Sequence, residues 1–167
     1  MSEKINVSFV LNGKPVTFET EAHVSLLRML RNNLQWDVKC GCEEGDCGTC
    51  TVLVDGETRK SCITLAAQVA GKNVTTVKGI TYNNEDVTGQ MLQRAFVECG
   101  SIQCGFCTPG MVMASKEYID NGGIADREAI KKALSGNLCR CTGYENIVNA
   151  VEKVMDENET RRGKTVR

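Results

Sequence analysis

The sequence predicts an α+β fold class, with a mixed strand-and-helix unit over residues 1–80 and an all-helical unit over 81–167. Three observations carry this reading. Alternating apolar residues and two turn dipeptides mark strands in the first half only. Leucines at helical spacing place one helix among those strands. After residue 88 the apolar residues recur with helical period. At 167 residues the chain is long enough for one domain or two small ones.

Taken in order, Ile5, Val7, Phe9 and Leu11 alternate with polar residues, and Asn12-Gly13 turns the chain into a second strand, Val16 to Glu19. Leu26, Leu27, Leu30 and Leu34 follow at helical spacing behind Ser25, a residue type that caps helix N-termini. A cysteine- and glycine-rich loop covers 39–50. Strand signal returns over Thr51 to Val54 and turns at Asp55-Gly56; a short helix is expected over Ile63 to Val69 and a closing strand over Val74 to Val77. The polar stretch 79–88 reads as a linker.

Beyond it, Met91, Leu92, Ala95 and Phe96 share a helix face. Thr108-Pro109 is a helix start, with a capping hydroxyl and then proline at the first helical position; Met111, Ala114, Ser115 and Tyr118 follow on one face. Asn121-Gly122-Gly123 ends that helix, Asp126 opens another through Leu134, and Ile147, Ala150, Val151 and Val154 mark the last. The charged end is expected to fray from about residue 156. The methionine and leucine stripes are assigned to the core. His23 stands alone and is a poor ligand; Trp36 is placed beside the first cysteine loop with no chemistry.

Apolar content of 41% and charged content of 25% exclude disorder and fibrous repeats. Twenty Lys+Arg against 21 Asp+Glu give a formal charge of −1, with no basic excess to drive nucleic-acid binding. No apolar run approaches the roughly 20 residues of a membrane span. The first residues lack a basic segment followed by an apolar signal core, so the chain is expected to be cytoplasmic. In that compartment its ten cysteines cannot be kept as disulfides, and clustered cysteines point to metal.

Eight of the ten cysteines fall into two groups of four. The first is Cys42, Cys47 and Cys50, then Cys62; this is the C-x4-C-x2-C…C spacing that holds a plant-type [2Fe–2S] cluster. Interspersed Gly41, Gly45 and Gly48 let backbone N–H groups approach the cluster sulfurs. A zinc ribbon would pair two close C-x2-C knuckles, which the lone Cys62 fits badly. The second group is Cys104 and Cys107, then Cys139 and Cys141. Taken alone it suits zinc or [2Fe–2S] equally. Both of its pairs stand at predicted helix starts, where backbone N–H groups and the helix dipole stabilise thiolates.

Three longer motifs, C-G-C-E-E-G-D-C-G-T-C over 40–50, Q-C-G-F-C-T-P-G-M over 103–111 and G-N-L-C-R-C-T-G-Y over 136–144, occur in this order. Together they resemble the small iron–sulfur subunit of the xanthine dehydrogenase/molybdenum hydroxylase family, over roughly residues 5 to 155. That resemblance implies an N-terminal β-grasp plant-type ferredoxin domain followed by a C-terminal four-helix bundle, each with one [2Fe–2S] cluster. It implies a molybdopterin-binding large subunit carrying molybdopterin cytosine dinucleotide and an FAD-binding medium subunit, assembled as a dimer of heterotrimers.

By position, Cys42, Cys47, Cys50 and Cys62 resemble the ligands of the cluster nearer the flavin. Cys104, Cys107, Cys139 and Cys141 resemble those of the cluster nearer molybdenum. Gln103 matches the residue that approaches the pterin, and Cys139 the ligand closest to it. The implied role is electron transfer, one electron at a time from molybdenum to FAD, with no catalytic site on this chain. Other readings are the small subunit of an aromatic thioester reductase or carbon monoxide dehydrogenase, a free-standing ferredoxin-like carrier, and a zinc-stapled interaction module. Cys40 and Cys99 stand outside the ligand pattern and are expected to be small, partly buried thiols.

Overall fold

The computed structural model describes residues 4–83 and 85–164. Strands β1 (Lys4–Leu11) and β2 (Lys14–Glu21) pair antiparallel from Lys4↔Glu21 to Leu11↔Lys14. Asn12 and Gly13 both take the left-handed conformation, φ 51° and 78°, which a two-residue hairpin requires. Alternation along β1 buries Val7, Phe9 and Leu11, and helix α1 (Leu26–Asn32) adds Leu26, Leu27, Met29 and Leu30 to the same core. Ser25 caps α1 as the sequence predicts, its Oγ accepting from Arg28 N at 3.3 Å.

The helix is shorter than its leucine spacing suggests. Asn33 Nδ2 donates to Met29 O at 2.9 Å and closes the last turn, so Leu34 lies beyond it, exposed and at φ 62°. Trp36 is also exposed, with the Arg31 guanidinium 4.8 Å over its ring.

Strands β3 (Thr51–Val54) and β4 (Glu57–Lys60) form a second hairpin over Asp55-Gly56. β5 (Asn73–Thr75) runs parallel to β1 and antiparallel to β3, giving the order β2-β1-β5-β3-β4. The helix expected over Ile63 to Val69 is only a 3-10 turn, Ala66–Val69. The closing strand stops at Thr75 because Thr76 N donates to the Asn12 side chain at 2.8 Å instead of to a strand partner.

The expected linker is partly helical. Helix α2 (Val77–Tyr82) overlaps it, with Ile80 fully buried against the helices that follow and Gly79 lying against the Asn12 side chain. Six residues are too few to display a helical period in the sequence.

Helices α3 (Val87–Glu98), α4 (Thr108–Asp120), α5 (Arg127–Leu134) and α6 (Glu145–Lys164) enclose a second core. Within it α3 packs on α4 and α6, and α5 packs on the same two. Met91, Leu92, Phe96, Met111, Ile130, Ile147 and Val151 fill it. Cys107, not the Thr108 hydroxyl, occupies the cap position of α4. Helix α6 continues past residue 156, where fraying was expected; Arg94 pairs with Glu157 at 2.7 Å and anchors it to α3. Residues 165–167 of that predicted tail lie outside the described residues.

The two cores are joined firmly. Leu53 of β3 is buried in the helical core. Glu117 of α4 accepts from Thr58 N and Thr58 Oγ1 at 2.7 and 2.8 Å. Lys116 is largely buried between Asp86 and Asp120, 2.7 Å from each. No described helix is long and apolar enough to cross a membrane.

Candidate metal centres

Cys42, Cys47 and Cys50 lie on the loop from α1 into β3, and Cys62 follows β4. Sheet pairing of β3 with β4 therefore brings the distant fourth cysteine back to the first three. Glu43, Gly45 and Gly48 are left-handed, at φ 60°, 87° and 69°, and curl the loop around Cys42. The N–H groups of Glu44 and Cys47 both donate to Cys42 Sγ at 3.4 Å. Gly41 leaves the room the sulfurs need, since a Cβ there would meet Cys47 Sγ at 2.8 Å.

Within this loop Cys42 interacts with the Cys47 thiol and Cys62 with the Cys50 thiol, and the charge of Cys42 also reaches Cys62. Hydrogen bonds from the Cys47 and Glu44 N–H groups pull the Cys42 thiol down to about 6. Burial, with the Cys50 thiol alongside, pushes Cys62 up to about 12.

The second group is assembled at two helix entrances. Cys104 and Cys107 precede α4, while Cys139 and Cys141 sit in the turn before α6, where Gly143 and Tyr144 are left-handed at φ 64° and 68°. Cys104 and Cys141 sulfurs are 3.6 Å apart, and Cys107 neighbours Cys139. The N–H of Cys139 donates to the Tyr144 hydroxyl at 2.9 Å, which fixes the turn.

Charge differs from sulfur to sulfur here. The Phe106 N–H lowers the Cys104 thiol, and burial pushes Cys107 up to about 12. Burial also opposes ionisation of Cys139, but hydrogen bonds from Thr142 and the Cys141 N–H outweigh it and hold that thiol below its ordinary value. Cys141 is raised by its contact with Cys104.

Among the described residues, no three His, Cys, Asp or Glu side chains converge as a single ion would require. Each cysteine quartet instead splits into two pairs. That layout suits two adjacent irons with two thiolates each.

The remaining predicted residues fall around these loops. Gln103 is exposed beside Cys104, between exposed Ile102 and Phe106. Cys99 caps the end of α3, half-buried against the helical core. Cys40 donates to Glu43 Oε1 at 3.0 Å, and that bond to the carboxylate raises its thiol.

A direct contact between the two loops was not legible in the sequence. Leu138 N donates to Cys47 O at 2.9 Å, so Cys139 is one residue from a hydrogen bond to Cys47. Buried Asn137 donates to Gly48 O at 2.8 Å, and Thr49 Oγ1 donates to Phe106 O at 2.8 Å. Gly48 cannot carry a side chain, because a Cβ would collide with Gly136 O. The available signal was Asn137 itself, an amide inside the third cysteine motif with no metal to bind. Replacing Asn137 by Ala should lower stability by about 1–2 kcal/mol, the usual cost of losing a buried hydrogen bond. Thermal unfolding checks this; a melting curve matching the parent's would show that Asn137 does not tie the loops together.

Comparison with known proteins agrees with this geometry. Residues 9–76 match the family model for a 2Fe-2S iron-sulfur cluster binding domain, and residues 76–152 that for a [2Fe-2S] binding domain. The nicotine 6-hydroxylase small subunit of Paenarthrobacter nicotinovorans is 41% identical over 90% of this chain and 89% of its own. The xanthine dehydrogenase iron-sulfur-binding subunit of Escherichia coli O157:H7 is 40% identical over 90% and 94%. Among solved structures, quinoline 2-oxidoreductase from Pseudomonas putida 86 superposes with a TM-score of 0.86 at 37% identity, covering 97% of this chain and 99% of that one.

Fold and cysteine loops together define an iron–sulfur protein with two [2Fe–2S] clusters. The chain belongs to the family of small iron–sulfur subunits of molybdenum hydroxylases, and its role is that of an electron-transfer component of an oxidoreductase complex.

Proposed function

We propose that Cys42, Cys47, Cys50 and Cys62 hold one [2Fe–2S] cluster and Cys104, Cys107, Cys139 and Cys141 the other. The division of each quartet into two sulfur pairs carries this reading. The strand-bearing unit, expected over 1–80, forms the β-grasp ferredoxin-like domain, and the unit expected over 81–167 the four-helix bundle domain; α2, with Ile80 in the helical core, goes with the second. Each cluster, when bound, takes up and releases one electron at a time.

The chain's own residues do the rest. Backbone N–H groups at Cys42 and Cys104 favour the thiolates that ligation needs. The Leu138–Cys47 hydrogen bond fixes the separation of the two centres and provides a short through-bond route between them.

Exposed Gln103, with Ile102 and Phe106 beside it, faces the molybdopterin-binding large subunit, and Cys139 is the ligand nearest the pterin. The first loop faces the FAD-binding medium subunit, in a cytoplasmic dimer of heterotrimers. Electrons from the molybdopterin cytosine dinucleotide centre thus leave singly toward FAD. Co-purification with two larger chains containing molybdenum and flavin tests the assembly; isolation as a monomer with full reductase-coupled activity would support a free-standing carrier.

With two complete cysteine quartets, the folded chain should contain about four iron atoms and about four acid-labile sulfides, without stoichiometric zinc. Full reduction should give two distinct S = 1/2 signals, because one centre lies in a strand loop and the other at a helix junction. Iron at half that level, with a single signal of one spin, would reject the two-cluster reading.

A further inference from the structure

Glu43 is a non-glycine residue held at φ 60°, directly after Cys42. L-residues with a Cβ are disfavoured in this region. The carboxylate is gripped from outside the turn. Arg28 on α1 places Nε 2.8 Å and Nη2 2.7 Å from Oε2, with Nη2 also donating to Oε1 at 3.0 Å, and Cys40 Sγ adds a bond to Oε1 at 3.0 Å. A forked guanidinium fixes the plane of a carboxylate as well as its distance.

An ion pair this open to solvent adds little to folding stability, the Arg28 side chain being 61% exposed. Its consequence is orientation. The next residue, Glu44, and then Cys47 supply the N–H groups that point at Cys42 Sγ.

We propose that Arg28, Glu43 and Cys40 form a latch that aims the Glu44 and Cys47 N–H groups at the Cys42 sulfur, and so sets the reduction potential of the first cluster relative to the second. Hydrogen bonds to a cluster thiolate stabilise the added negative charge of the reduced state and raise the potential. Arg28 and Glu43 are positioning residues, acting through those two N–H groups. The inference rests on Cys42 being a ligand of the first cluster.

The test is a redox titration of the assembled complex, followed through the two reduced-state signals, for R28K, E43Q, E43G and E43A. R28K keeps the charge but loses the fork, while E43Q loses the charge. Both should lower the first cluster's midpoint, by about tenfold in its one-electron equilibrium, which is about 59 mV. Glycine adopts φ 60° without penalty, so E43G should stay nearer the parent than E43A. The second midpoint should not move.

Through-space charge alone would leave R28K unchanged and raise the midpoint in E43Q. That pattern, or unshifted midpoints in all four variants, overturns the latch. A parent complex lacking the first signal would instead overturn the ligand assignment beneath it.

Discussion

Cys42→Ser should remove the first cluster and spare the second, whereas Cys40→Ser should keep both. The two thiols are two residues apart, yet their surroundings are opposite. Cys42 accepts two backbone N–H bonds that draw it down to about 6, so at neutral pH it is largely thiolate. Cys40 donates its proton to a carboxylate that raises it, and stays a thiol. Iron binds the thiolate.

Only Cys42 gives the four-residue interval to Cys47; starting from Cys40 would enclose Gly41 and Cys42 in a longer loop and misdirect its N–H groups. Iron in the assembled Cys42→Ser complex should fall by about half, with loss of one reduced-state signal. Cys40→Ser should retain full iron and both reduced-state signals. The reverse pattern would transfer the ligand role to Cys40.

Stripping both clusters should have the largest effect on stability. Each unit is near eighty residues, a size at which about 60–65% of the unfolded surface is buried and the core is marginal. With the proposed ligands, the first cluster would tie the α1–β3 loop to the segment after β4, and the second the entrance of α4 to that of α6. Cluster ligation therefore couples to folding, as structural metals do.

Iron chelation under reducing conditions should cost each unit about 3 kcal/mol or more, lowering Tm by on the order of 10–20 °C. Both halves should loosen, because Leu138–Cys47 and Asn137–Gly48 join their loops. Calorimetry of treated and untreated protein checks this; identical melting after complete iron loss would show that the cores stand without the clusters.

Much of the architecture was legible because it was written in local patterns. Alternation along β1, the Asn12-Gly13 turn, the Ser25 cap and the stripe from Met91 to Phe96 all depend on neighbours within a few residues. The reading failed where a side chain closed a helix early or a distant partner decided the conformation. Leu34 has the right spacing for α1, but Asn33 closes the helix first. Gly79 and Ile80 looked like linker because their partners, Asn12 and the helical core, are remote in sequence.

The same division holds for the metal centres. Interval lengths single out the cysteines proposed as ligands, but not that Cys47 and Leu138 are hydrogen-bonded. Nor does any spacing disclose that Arg28, on another element, grips Glu43.

The Glu117–Thr58 clamp has one more consequence. β4 is an outermost strand, and such a strand offers unpaired N–H and C=O groups on which another chain can extend the sheet. Glu117 occupies the outward Thr58 N–H and lays α4 beside that margin, leaving β2 as the open border of the sheet. The shield is only as firm as α4, and α4 is capped by Cys107, a member of the second cysteine quartet. Loss of that cluster would therefore free a strand margin as well as weaken a redox centre. Self-association of the iron-depleted chain should then begin at β4, and iron incorporation becomes a guard against aggregation.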